Sequence, residues 1–340
     1  MNKTIQLLRF IGSPGFPSSI PDIDTSDSVK LFDYSLKNRF SLLYLNETKR
    51  RTIFCNFRQA YQQHMAKYAE MLDAVERISR VLSEAHLRHA IFKTIRPYIS
   101  TTVDIDVIVF GDVLQYERAC DIAQNAGYKR IVRGPMSTTL QDPRTGIGVD
   151  LYDEVAVSYV PYIDKVKLLD DVTNANASSH SHVRMLTREA DLVSLIAHSI
   201  VKENMYTLSE FYTYVYYLDG LDVDRFLQLA KKMHLKSAIR THTAITALLY
   251  ETAYKTLPVA LKTILGHVGN DEFETARTIN NEFEMPHKYH PITVARSLLE
   301  IAQEGKTIKG MANQFLHAFD GRFFKDFLKK VKEHVKRATY

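Results

Sequence analysis

The sequence has no tryptophan and only two cysteines, Cys55 and Cys120, in 340 residues. Without paired cysteine spacing there is neither a disulfide framework nor a cysteine zinc site, and both thiols are expected to be small buried hydrophobes. Long apolar runs are missing too: none approaches the ~18–20 residues that span a bilayer. The opening MNKTIQLLRFIGSPGFP lacks the continuous apolar stretch of a secretory signal, so a cytoplasmic chain with no membrane partner is expected. Charge of neither sign dominates. The net charge is +5, and the last twenty residues, with seven Lys and Arg against Asp326 and Glu333, carry 7 − 2 = +5 by themselves.

What is present is the composition of a globular protein, with 45% hydrophobic and 24% charged residues. At roughly 150 residues per domain the length suggests two domains. Residues 12–28 hold three prolines and little periodicity, and residues 1–58 are read as an irregular extension. From Gln59 to His89 apolar residues recur at three- and four-residue steps, which predicts a long amphipathic helix. Short β-like segments follow: 90–93, 103–110, 128–132, 138–141 and 147–157. A helix over 113–126 interrupts them, and Gly127 is placed to end it. Beyond about Lys165 the strands are expected to stop. Thr187 then caps a helix with acidic residues in its first turn, and further helices run to the C-terminus. The predicted fold is α+β: a small mixed sheet with helices on one face over residues 59–165, then an all-α domain over 166–340 with a basic C-terminal helix.

The tripeptide Asp-Ile-Asp occurs twice, at Asp22–Asp24 and at Asp104–Asp106. In STTVDIDVIVF the second copy heads an apolar strand, so Asp104 and Asp106 share one face while Val103, Ile105, Val107 and Val109 take the other. Two adjacent carboxylates repel one another, and a divalent cation relieves that repulsion. Oxygen-only ligands favour Mg²⁺ or Mn²⁺. TGIGVDLYDEVAV supplies Asp150 on a second apolar strand, with Tyr152 and Glu154 expected on the same face. If the strands are neighbours, three carboxylates meet, an arrangement that suits two-metal phosphoryl or nucleotidyl transfer. The first copy lies among Pro14, Pro17 and Pro21, where no strand forms, so Asp22 and Asp24 read as turn and cap residues.

The run HAIFKTIRPYISTTVDIDVIVF, the helix ending NAGYKR and the strand GIGVDLYDEV resemble the nucleotidyltransferases of the DNA polymerase β superfamily. The likeness is to the branch of uncharacterised and abortive-infection-type nucleotidyltransferases with a helical C-terminal half, and it spans about residues 85–245. It implies that Asp104 and Asp106 ligate metal and that Asp150 is third ligand and general base. It also implies an NTP substrate and two Mg²⁺ (or Mn²⁺) ions. Where those proteins have Gly-Ser or Lys-Gly at the phosphate-binding turn, this chain has Lys93-Thr94. The glycine that lets backbone N–H groups approach the triphosphate is therefore absent, and Lys93 or Arg96 would replace those contacts with charge.

His198 and Lys202 lie four apart on a predicted helix; they suit contact with base or phosphate, or more simply a surface pair. His180 and His182 sit in a polar loop with no partner at metal spacing. The aromatics of Phe211–Tyr217 fit core packing better than base stacking. Lys325, Lys329, Lys332 and Lys336 beside an apolar stripe in the last helix make either a docked helix with a solvated face or an RNA-backbone contact, which Lys49, Arg50 and Arg51 would extend. Two readings remain: an enzyme moving NMP from an NTP to a hydroxyl, with an RNA 3′ end such as tRNA weakly favoured over a protein or small molecule, and a non-catalytic nucleotide- or RNA-binding module.

Overall fold

The computed structural model describes residues 2–18, 23–174 and 183–318. In chain order these form helices α1 (Lys3–Ile11), α2 (Thr25–Lys37), α3 (Ser41–Thr48) and α4 (Phe54–Glu84), then strands β1 (His89–Ile91) and β2 (Asp104–Val109). Helix α5 (Val113–Asn125) leads to strands β3 (Lys129–Arg133), β4 (Ser137–Gln141), β5 (Gly148–Tyr152), β6 (Val155–Val157), β7 (Val160–Ile163), β8 (Val172–Asn174) and β9 (Arg184–Leu186). The helical half follows as α6 (Arg188–Val201), α7 (Leu208–Leu218), α8 (Val223–Lys232), α9 (Lys236–Tyr254), α10 (Val259–Val268), α11 (Glu272–Asn280), α12 (Pro291–Ile301) and α13 (Gly305–Ala318). Strands β10 (Met205–Tyr206) and β11 (His287–Lys288) pair within it. The chain is thus α+β with a helical C-terminal half.

Seven strands share one sheet in the order β3-β4-β5-β2-β1-β9-β8. Strand β2 runs antiparallel to β1 and parallel to β5. The alternation of β2 sorts its side chains between two cores. Ile105, Val107 and Val109 go under α4 and α5 with Val149 and Leu151 of β5, whereas Ile108 and Phe110 join the larger core shared with the helical half. Helix α4 is the long helix the periodicity predicts, ending at Glu84, and α5 is followed by Gly127 at φ +95°, a left-handed turn that glycine adopts without strain.

The strands continue past Lys165, contrary to the sequence expectation: β9 pairs in parallel with β1, and β8 pairs with β9. Three-residue strands are too short to carry a period. The described residues of 1–58 likewise form helices α1, α2 and α3, their connections and the start of α4. Asn2 caps α1 by accepting from Thr4 and Ile5 N–H, and Asp24 caps α2 by accepting from Asp27 N–H at 2.7 Å. Pro14 and Pro17 fall between these helices and break neither. Leu7, Leu8 and Phe10 of α1 are buried in the larger core. Asp22, His180, His182 and the basic segment 321–340 lie outside the described residues.

Smaller expectations change as well. Val103 precedes the strand and is 85% exposed, and Cys55 is exposed while Cys120 is buried. Glu154 lies beyond the end of β5, where it meets Lys306 at 3.3 Å, and so leaves the acid face. Phe211, Tyr212, Tyr214, Val215 and Tyr217 are buried core, as helical spacing predicts, and Tyr216 packs half-buried against them. No helix among the described residues is long and apolar enough to cross a membrane.

Candidate active site

The parallel pairing of β2 and β5 sets Asp106 directly opposite Asp150 and Asp104 opposite Gly148. Residues two apart on β2 share a face, so one carboxylate oxygen from each of Asp104, Asp106 and Asp150 lies within 4.8 Å of the others. The three acids are held in unlike ways. Thr139 of β4, opposite Asp150 in the register, donates its hydroxyl to Asp150 Oδ1 at 2.6 Å and leaves the second oxygen open. Asp106 is buried and has both oxygens engaged: Oδ2 pairs with the Lys93 ammonium, and Oδ1 accepts from the Tyr152 hydroxyl at 2.9 Å. The Asp104 carboxylate has no hydrogen-bond or ion-pair partner among the described residues.

These surroundings shift the acids differently. Burial, and then the Asp106 charge, pushes Asp104 up to about 6. Burial also raises Asp150, against the Thr139 hydrogen bond. For Asp106 burial acts upward, but the Lys93 and Lys202 ammonium groups outweigh it and hold the carboxyl below its usual range. A half-buried carboxylate with no partner, beside two further oxygen donors, is the donor set of a hard divalent cation. The residues therefore fit Mg²⁺ or Mn²⁺.

The turn after β1 is built in an unexpected way. Lys93 adopts φ +48°, a conformation that glycine takes freely and a lysine adopts at a cost of roughly 1–2 kcal/mol. The buried Asp191, from the first turn of α6, accepts the Lys93 backbone N–H on one oxygen and the Tyr217 hydroxyl on the other at 2.8 Å. The turn thus keeps a glycine-like backbone while its N–H is committed to the protein. Thr94 is fully buried; its hydroxyl donates to Phe92 O at 3.2 Å and accepts from Asp106 N–H at 2.9 Å. Arg96 is half-buried, with Nη1 donating to the Thr213 hydroxyl at 3.4 Å.

His198 and Lys202 do not form a surface pair. Lys202 donates to the Tyr152 hydroxyl at 3.1 Å, so a chain of contacts runs from Lys202 through Tyr152 to Asp106. His198 is buried behind it. Burial, and then the Lys93 charge, pushes its imidazole down to about 3, so it is neutral: Nδ1 accepts from Tyr162 at 2.8 Å and Nε2 donates to Glu203 at 3.1 Å. Glu203 also pairs with Arg39 at 3.2 Å, which ties the turn between α2 and α3 to the end of α6. Lys49 packs over Tyr61, its Nζ 4.9 Å from the ring centroid. Arg51 is drawn inward over Phe10, 4.0 Å from that centroid, rather than onto an open basic patch.

Asp191 is the site residue that sequence reasoning passed over, and Tyr152 was placed on the acid face without a role. Alternation with Asp150 along β5 does put Tyr152 on the acid face, and that signal was available; Asp191 gives none, because an acid in the first turn of a helix reads as a capping charge.

The sheet thus brings together two acids of one strand, a third from its parallel neighbour and a lysine of the adjoining turn, a group that could hold a metal ion. The chain belongs to the family described as uncharacterised nucleotidyltransferase, whose family model matches residues 36–251. No curated protein matches the chain.

Proposed function

We propose that the protein is a metal-dependent nucleotidyltransferase that moves a nucleoside monophosphate from an NTP to a hydroxyl acceptor, an RNA 3′ end such as tRNA in preference to a protein side chain or a small molecule. The observation that carries this is the meeting of Asp104, Asp106 and Asp150 oxygens within 4.8 Å, with Asp104 otherwise unpartnered. The acceptor oxygen forms a bond to the α-phosphorus, the bond from that phosphorus to the bridging oxygen breaks, and pyrophosphate leaves. Asp150 takes the hydroxyl proton on the oxygen that Thr139 leaves open. Asp104 and Asp106, with Asp150 as third ligand, would hold Mg²⁺ or Mn²⁺, two ions in this reading, which would activate the hydroxyl and neutralise the triphosphate. Lys93, Lys202 and Arg96 give the phosphates cationic contacts in place of the backbone N–H that Asp191 has taken. Thr94 and His198, both buried, shape the turn and the end of α6 behind them.

A second reading, a non-catalytic nucleotide- or RNA-binding module, draws on the same turn: the Lys93 N–H is bound to Asp191 and its ammonium to Asp106, so less of the turn is free for a triphosphate. The test is incubation with each α-labelled NTP, Mg²⁺ and total RNA or protein, comparing the wild type with Asp104→Ala plus Asp106→Ala. Label transfer by the wild type alone is the expected result. Transfer kept by the double variant would remove the acids from the reaction, and no transfer by either with any NTP would favour the binding module.

A further inference from the structure

The face that carries the three acids is closed on one side and open on the other. Toward β1, Ala90, Phe92, Ile108 and Tyr152 enter the core shared with the helical half, and Lys93 and Lys202 fill the approach to Asp106. Toward the outer strands the register carries the acid face from Asp150 to Thr139 and on to Val132, and from Gly148 to Gln141 and on to Lys129. The opposite parity is fixed independently. Leu140 lies in the core under α5, Thr138 meets Tyr116 of α5 at 2.7 Å, and Arg133 pairs with Glu117 of α5. Thr139, Gln141, Val132 and Lys129 therefore extend the acid face outward.

This outer half has the chemistry of a landing surface for an anionic chain. All five residues of β3 are exposed, with Val132 57% exposed on the acid face. Lys129 on that face has no ion-pair partner among the described residues; Arg130 on the reverse makes no close ion pair there but feels the charge of Glu117, which pairs with Arg133. Lys129 stands two strands and two residues from Asp150, about 12 Å on the backbone from sheet spacings, and its side chain shortens the gap to a phosphate beside the reacting hydroxyl. A small acceptor would call for a concave site. Here the face ends in an edge strand that no described strand covers, with cations on both sides of the rim, which suits a polymer running past the edge.

We infer that the outer strands β4 and β3 receive a single-stranded nucleic-acid 3′ end, with the terminal hydroxyl at Asp150, the terminal sugar and base over Thr139 and Val132, and the adjoining phosphates at Lys129 and Arg130. This rests on the transferase reading above and adds the surface that selects the acceptor. Charge complementarity and continuity with the acid site argue for it.

The test is binding of a labelled single-stranded oligonucleotide at several salt concentrations, with Mn²⁺ and a non-hydrolysable NTP titrated separately. Lys129→Glu plus Arg130→Glu is expected to weaken oligonucleotide binding at least about tenfold and to lower the salt slope by about 1–2, with Mn²⁺·NTP binding unchanged. A photo-cross-linking residue at Val132 is expected to label the 3′-terminal nucleotides. Unchanged oligonucleotide affinity in the double variant, no binding by the wild type at low salt, or cross-linking to protein instead of oligonucleotide would each overturn the surface assignment. Loss of Mn²⁺·NTP binding by the wild type would instead count against the transferase reading.

Discussion

Two carboxylates of this fold, the buried Asp142 beneath α4 and the half-buried Asp104 on the other face of the sheet, live under opposite rules. Asp142 accepts from Arg77 Nε at 3.0 Å and Nη2 at 2.9 Å, and from the Arg144 and Thr145 N–H groups at 3.0 and 2.8 Å. Burial would raise it, but the Arg77 hydrogen bonds and those of Thr145 outweigh burial and hold it down at about 2. Asp104, with no partner, is driven up to about 6 by burial and then by the like charges of Asp106 and Asp150. The first acid is satisfied by the fold and serves the fold. The second is left in deficit, and a fold keeps such a deficit where a ligand makes it good.

The comparison can be broken most forcefully at Arg77. Arg77→Ala should leave Asp142 charged, buried and short of its cation, lowering stability by about 3–5 kcal/mol in denaturant unfolding while transfer per folded molecule is unchanged. Loss of activity out of proportion to unfolding would give Arg77 a role in the site. Next in size, Asp150→Asn should reduce nucleotidyl transfer by about 10²-fold or more with the same circular dichroism as the wild type. Activity near the wild-type level would leave the proton with another base.

The pH dependence of the metal-free protein sharpens the contrast, because the two acids slope in opposite directions. The folded value of Asp104 lies above its unfolded value of about 4. Its contribution is present below that value and is lost as pH rises through about 6. Asp142 is depressed, so its contribution is present above pH 4 and is lost as pH falls through about 2. Asp104→Asn should therefore stabilise the metal-free chain at pH 7 by about 1–2 kcal/mol and flatten its loss of stability between pH 4 and 6. A variant less stable than the wild type at pH 7 would mean that Asp104 has a partner after all. The smallest effect is expected of Tyr152→Phe: removing one neutral hydroxyl from the chain between Lys202 and Asp106 should lower kcat/KM by up to about fivefold, the equivalent of about 1 kcal/mol.

How much of this was legible in the sequence follows the range of the interactions. The acid strands could be read because alternation is local: a β-branched run with Asp104 and Asp106 on one side, and a second run bearing Asp150, predict a shared face before any pairing is known. Their register, Asp106 against Asp150, was a condition the sequence could name but not fix. Helices α4 and α5 and the core role of Phe211–Tyr217 were legible for the same local reason. What escaped depends on distant partners. The three-residue strand β9 exists because it pairs with β1 about ninety residues earlier. Lys93 holds a left-handed turn because Asp191, 98 residues away, accepts its N–H, so the missing glycine said less about the backbone than it promised. The prolines of residues 12–28 suggested an irregular extension, but proline rules apply only where proline stands, and α1 and α2 lie on either side.

The most direct measurement is Mn²⁺ binding in the presence of a non-hydrolysable NTP, followed by electron paramagnetic resonance on the wild type and on a triple Asp104→Asn, Asp106→Asn, Asp150→Asn variant. The wild type should take up Mn²⁺ with the nucleotide, and the folded triple variant should lose that uptake. A triple variant that binds Mn²⁺ and nucleotide as tightly as the wild type would contradict the assignment of these three acids as the metal site.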